Sequence, residues 1–224
     1  MAQAIVHGGG GHGELTRQHG GDGGEGHGDE LEHAHPTSTG LNSVKMLMWT
    51  FIGSECMLFG SLIATYVADV GFGKGPGPKQ VFEIPYTSVS AFVLLISSLT
   101  MVLALAACQQ GNQRQLRIWL VATAALGLVF LGGQYFEFTT FKVEKGAWLD
   151  TNFFGSTFFT LTGFHGAHVT VGAIWLLSLW LYSLRKGIPA SKSLFVEVAG
   201  LYWHFVDIVW IVIFTVVYLI PTSR

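Results

Sequence analysis

Apolar and polar positions divide the chain into two regimes. From about residue 45 onward, apolar runs recur at 45–68, 86–108, 117–141, 153–183 and 194–220, each longer than the roughly 18 residues that read as a membrane-spanning helix. These runs are apolar nearly all round, whereas a helix on the surface of a soluble domain carries a single apolar stripe. Nor do they alternate over about ten residues, as the strands of a membrane barrel do. Breakers fall between them: the Gly/Pro series from Gly71 to Pro78, Gln109 to Gln115, Lys142 to Asp150, and Gly187 with Pro189. The pattern predicts an all-α integral membrane protein, a five-transmembrane-helix bundle joined by short loops, with no second folded domain.

Residues 1–44 differ in kind. This stretch holds twelve of the 29 glycines, six of the nine histidines, six acids and one base, Arg17. With so little apolar surface to offset ordering entropy, it is expected to be a disordered polar tail. It lacks the basic start and apolar core of a signal peptide, so the first span is expected to act as the insertion signal. His7, His12, His19, His27, His33 and His35 could chelate weakly, but glycine-rich spacing does not preorganise a metal site, and a solvated linker is the preferred reading.

Composition sharpens the picture. Half of the 224 residues are hydrophobic and 12% are charged, with net charge −2 and mean hydropathy +0.47. A chain of this balance without a basic block is not built for nucleic acid, whose phosphates need clustered Lys and Arg. Cys56 and Cys108 both lie in apolar runs and read as small buried hydrophobes rather than a disulfide or a metal pair. Near the membrane, one side collects Lys45, Arg114, Arg117, Arg185, Lys186 and Lys192, and the other Lys74, Lys79, Lys142, Lys145 and Arg224. This small excess favours an inner N-terminus.

Small residues are expected to mark helix contact faces in lipid, where close packing replaces the hydrophobic force. Gly163 with Ala167, Gly166 with Thr170, and Gly132 with Gly133 are the candidates.

The chemistry must lie with the polar groups inside the spans, because each is costly there. They are Glu55, Gln134, Glu137, His165, His168, His204 and Asp207. Glu55 is about ten residues into the first span, near the midplane, where a carboxyl is expected to be protonated or hydrogen-bonded. Gln134 with Glu137, His165 with His168, and His204 with Asp207 are each three apart and share a helix face. In the last pair the carboxylate is positioned to orient the imidazole. Three readings compete. Haem ligation needs imidazoles on facing helices, and two of the three histidines share one helix. An ion path of the transporter type would bring broken helices or an inverted repeat, and neither is visible. A buried hydrogen-bond network that holds helices together and faces a partner subunit fits best.

The segments "WTFIGSECMLFGSLIATY" around Glu55, "GQYFEF" at 133–138, "TGFHGAHVTVG" at 162–172 and "YWHFVDIVWIVIF" at 202–214 resemble the signature segments of subunit III of haem–copper oxidases. The resemblance spans roughly 45–220 and leaves the tail outside. It implies a membrane subunit that docks on the catalytic subunit I, with subunit II and further subunits in the same complex. It also implies that haem and copper belong to those partners, with no catalytic or metal-binding residue in this chain. In the family, subunit III supports subunit I, binds lipid in a helix cleft and sustains proton uptake. By resemblance, Glu55, Glu137, His204 and Asp207 match the family's intramembrane polar positions, as a hydrogen-bond network and local proton buffer. The family orientation puts the N-terminus in the cytoplasm and the C-terminus outside the bacterial inner membrane.

Many subunit III chains have seven helices, and this one begins where their third would, as in five-helix bacterial forms. The cleft made by the missing pair is therefore not expected, though phospholipid remains a candidate ligand. The expected function is a non-redox subunit of a bacterial cytochrome c oxidase. The alternatives are the corresponding subunit of a quinol oxidase, a nitric oxide reductase-associated homologue, or a free-standing transporter.

Overall fold

Helix ends in this chain are written in local side-chain chemistry. In the computed structural model, which describes residues 42–72, 84–144 and 153–219, Asn42 accepts a hydrogen bond from the Val44 amide at 3.0 Å. That cap opens α1, Ser43–Phe72. α2 runs Ile84–Gln109 and ends on Gly111, whose φ of +73° is open to glycine and strained for other residues. The Gly111 amide donates to the Cys108 carbonyl and the Asn112 amide to that of Ala107, a paired closure of the last turn. Asn112 then caps the next helix by accepting from the Gln115 amide at 3.2 Å. One Gly-Asn pair therefore stops α2 and starts α3, Gln113–Glu144.

α4 covers Phe153–Lys186 and closes on Gly187, at φ +70°. A short 3₁₀ turn, Ala190–Lys192, leads into α5, Ser193–Phe214, which continues as a π-helical stretch, Thr215–Leu219. All five helices are long and apolar enough to cross a membrane, as the hydropathy pattern predicts. α1 starts inside the stretch assigned to the tail; the rest of that tail, with its histidines, lies outside the described residues, as do most of the loops at 71–78 and 142–150.

α5 is the most buried of the five spans. α2 packs on α3 and α5, α3 on α4, and α1 on α4 and α5. Trp203 of α5, fully buried, shows why. Cβ atoms built on Gly127 of α3 and Gly172 of α4 would sit 2.6 and 2.9 Å from its indole, and its Nε1 donates to Ser97 Oγ of α2 at 3.0 Å. One side chain thus ties four helices together. Between α2 and α3, the buried Thr100 and Thr123 hydroxyls add a 2.8 Å hydrogen bond.

The small-residue faces expected on α4 are corrected here. A Cβ on Gly163 would meet nothing within 4 Å, and Ala167 and Thr170 are exposed. Gly166 does approach α3, near Gln134 Oε1 and Leu131. The tightest approaches are at Gly127 and Gly172, where the Trp203 ring lies opposite.

At the end carrying the α2–α3 and α4–α5 turns, Gln113 pins Ile188 with two bonds. Its Nε2 donates to the Ile188 carbonyl at 2.5 Å, and its Oε1 accepts from the Ile188 amide at 2.9 Å. Arg117 donates to Ser183 at Oγ, 3.2 Å, and at the carbonyl, 2.7 Å.

Candidate functional site: the intramembrane polar groups

Glu55 lies at the middle of the span Ser43–Ala68. Its Oε2 is 3.1 Å from His168 Nε2 of α4, and both side chains are only 16% exposed. His168 Nδ1 lies 2.8 Å from the Phe164 carbonyl one turn earlier. A carbonyl only accepts, so Nδ1 carries a hydrogen and Nε2 faces the carboxyl. Carboxyl and imidazole thus satisfy each other across the two helices. This lowers the cost of two ionisable groups at that depth. The same turn of α4 is tied to α5 through the Tyr202 hydroxyl, which donates to the His168 carbonyl at 3.0 Å, and Phe59 packs edge-on against the His168 ring.

His165, three residues earlier, points into the core. It is fully buried, stacked on Trp210 with centroids 4.9 Å apart and met edge-on by Phe130. Neither ring nitrogen has a hydrogen-bond partner among the described residues, and the same holds for Trp210 Nε1 and Gln134 Oε1. Sharing a helix face with His168 therefore did not give His165 the same surroundings. The two rings straddle Phe59, one against α1 and the other against α3 and α5.

The expected pairing of His204 with Asp207 is not what the structure shows. His204 Nδ1 lies 2.6 Å from Ser98 Oγ of α2. Asp207 is 4% exposed and makes no hydrogen bond to His204; the Ser98 hydroxyl that meets the imidazole lies against its carboxyl as well. Spacing three apart brings two side chains to one face without making them meet, and a serine on the adjoining helix reached the imidazole. Glu137 of α3, expected near the interface beside Gln134, accepts from the Thr87 hydroxyl of α2 at 3.2 Å.

Ser97, Ser98, Thr87 and Tyr202 are the partners that sequence reasoning missed. Adjacent serines inside an apolar run at 97–98 were the available signal, since a hydroxyl in lipid seeks an acceptor or donor. Their particular partners depend on helix neighbours. An apolar groove of about 440 Å³ runs between α1 and α5, with Trp49, Cys56, Phe59 and His204 in its walls. Among the described residues, no group of three His, Cys, Asp or Glu side chains is arranged to hold a metal.

Fold and site together define a five-helix membrane protein in which several intramembrane polar groups bind helix to helix. Comparison with known proteins is consistent with that class: residues 27–221 match the family Cytochrome c oxidase subunit III. The match starts inside the stretch read as tail. The chain is 40% identical over 173 residues to cytochrome c oxidase subunit 3 of Bacillus sp. (strain PS3), covering 76% of this chain and 83% of the relative. It is 39% identical over 189 residues to the cytochrome bo(3) ubiquinol oxidase subunit 3 of Pseudomonas aeruginosa, 84% of this chain and 90% of the relative. With quinol oxidase subunit 3 of Bacillus spizizenii it shares 39% over 172 residues, 76% and 84% of the two chains. The chain belongs to the cytochrome c oxidase subunit III family, and is thus subunit III of a haem–copper oxidase.

Proposed function

We propose that this chain is the non-redox subunit III of a bacterial cytochrome c oxidase. In this reading it braces the catalytic subunit I and supports proton uptake during reduction of oxygen to water, with haem and copper held by its partners. The observation that carries the reading is Glu55 with His168: a carboxyl–imidazole contact in mid-membrane that also clasps α1 to α4. A subunit with this pair places proton-binding groups within the membrane beside a proton-consuming neighbour. Cytochrome c as the donor is supported by the family's description and by the names of the Bacillus sp. relative and the Alkalihalophilus pseudofirmus relative, 37% identical over 189 residues. The bases near Lys45, Arg117 and Lys192 support a cytoplasmic N-terminus, with the C-terminus outside.

Quinol oxidation is the second reading, favoured by the relatives so named. Affinity purification of the tagged chain in mild detergent tests both. Co-purified haem, with oxygen uptake driven by reduced cytochrome c and not by quinol, is the expected result. Uptake driven by quinol alone moves the chain to the second reading. A chain that emerges alone and colourless from membranes whose other complexes stay intact overturns both.

A further inference from the structure

Three buried polar side chains meet between α3, α4 and α5 without bonding one another. His165 of α4 is fully buried, and neither of its ring nitrogens has a hydrogen-bond partner among the described residues. Trp210 of α5 and Gln134 of α3 are buried too. Among the described residues the Trp210 indole N–H has no acceptor and Gln134 Oε1 no donor. All three lie at one level of the bundle. The His165 and Trp210 rings stack with centroids 4.9 Å apart, and Phe130 of α3 meets them edge-on at 5.8 and 4.8 Å. Gln134 is one turn along α3 from Phe130, and its Oε1 faces Gly166, the chain neighbour of His165.

A buried donor or acceptor without a partner is costly, because apolar neighbours return nothing for the hydrogen bonds it gives up. The chemistry of these atoms defines what can satisfy them. Trp210 Nε1 only donates, Gln134 Oε1 only accepts, and a neutral imidazole donates at one nitrogen and accepts at the other. The indole N–H repels a cation and the amide oxygen repels an anion, and neither ion finds a countercharge on these three side chains. A small neutral molecule that both donates and accepts suits every atom of the set. Room for one exists beside Gly166. A Cβ built there would stand 3.8 Å from Gln134 Oε1 and 4.0 Å from Leu131, which are ordinary contact distances. A group about the size of a methyl therefore fits between α4 and α3 at this level, and a water is no larger.

We propose that the level where α3, α4 and α5 meet around His165 is a binding site for internal water, which accepts from the Trp210 indole N–H, donates to Gln134 Oε1 and bonds the His165 ring nitrogens. Those nitrogens lie on different edges of the imidazole, so two molecules are needed to serve both. Held in this way, water joins three helices whose own side chains at this level do not reach one another. Phe59 separates the site from the Glu55 contact, since its ring packs against both His165 and His168. The inference rests on the packing of α3, α4 and α5 and is independent of the electron donor.

The test uses the full chain with whatever subunits accompany it in mild detergent. A cryo-EM map that resolves ordered water elsewhere in the protein interior should show density about 2.7–3.2 Å from Trp210 Nε1 and from a His165 ring nitrogen. Water-edited NMR of the ¹⁵N-labelled protein should pass magnetisation from water to the His165 ring sooner than to the Val169 amide, equally buried one turn further along α4. Two variants turn the proposal into a sign. His165→Phe keeps a ring and removes both nitrogens: it raises the unfolding midpoint if the imidazole is simply unpaired, and lowers it if water links the ring to its neighbours. A lower midpoint is expected. Gly166→Ala adds a methyl that meets no listed atom closer than 3.8 Å, so helix propensity alone would raise the midpoint, whereas displaced water lowers it. Should either variant fail to fold, the map and the NMR transfer on the unaltered chain still decide. A map without density at the ring, transfer to His165 no faster than to Val169, or a raised midpoint for His165→Phe overturns the proposal. Density continuous with a side chain of this or another subunit overturns it too, as does an ion recognised by coordination distances shorter than hydrogen bonds.

Discussion

Glu55 Oε2 and His168 Nε2 stand 3.1 Å apart across α1 and α4, with the far nitrogen of the imidazole committed to the Phe164 carbonyl. The backbone of α4 thereby sets which ring nitrogen the carboxyl meets. If this contact holds α1 on the bundle, the two residues must be energetically coupled. Glu55→Gln, His168→Gln and the double variant, unfolded by denaturant titration in detergent, should give a coupling of about 0.5–3 kcal/mol. Additive effects would show that the pair contributes nothing as a pair.

Trp203 sets the second expectation. Gly127→Ala places a methyl 2.6 Å from its ring and should cost about 1–3 kcal/mol through overpacking. Gly163→Ala meets nothing within 4 Å and should be neutral or stabilising by up to about 1 kcal/mol from helix propensity. Similar losses from both substitutions, read as midpoints of unfolding, would refute the assignment of close contacts.

His204 offers a spectroscopic test. Its Nδ1 is bonded to Ser98, so Ser98→Ala should shift the ¹⁵N resonance of that nitrogen in the labelled protein. Asp207→Asn, which reaches the imidazole only through Ser98, should shift the resonance less. The reverse result would restore the pairing of His204 with Asp207 that helix spacing suggests.

Gln113 holds both backbone groups of Ile188. Gln113→Ala leaves that amide and carbonyl without their partners, at a cost of about 1–3 kcal/mol where they are buried. Proteolytic cleavage within 187–192 should become faster, while cleavage at the α2–α3 turn, closed by its own backbone bonds around Gly111, should not change. Unchanged cleavage at both turns would refute the clamp.

Much of the architecture was legible without coordinates. Five apolar runs read directly as five spans because lipid demands length and apolarity from each helix by itself, whatever its neighbours. The turn at Gly111 and Asn112 was equally local, since a left-handed residue followed by a capping side chain needs nothing from the rest of the fold. The family-signature segments lie within those runs, so the polar residues Glu55, His168, His204 and Asp207 could be singled out by their cost in lipid.

Which of them meet was another matter. His165 and His168 share one face by spacing, yet one is sealed against Trp210 and the other pairs with Glu55, more than a hundred residues earlier in the chain. Gly163 and Ala167 carry the small-residue spacing of a helix contact, yet the contact formed at Gly127 and Gly172, where Trp203 arrives from another helix. Sequence alone determined the number, length and polarity of the spans, because those answer to the membrane. Tertiary structure decided the partners, because side-chain pairing depends on the rotation and depth of each helix against its neighbours, and no periodicity within one helix contains that information.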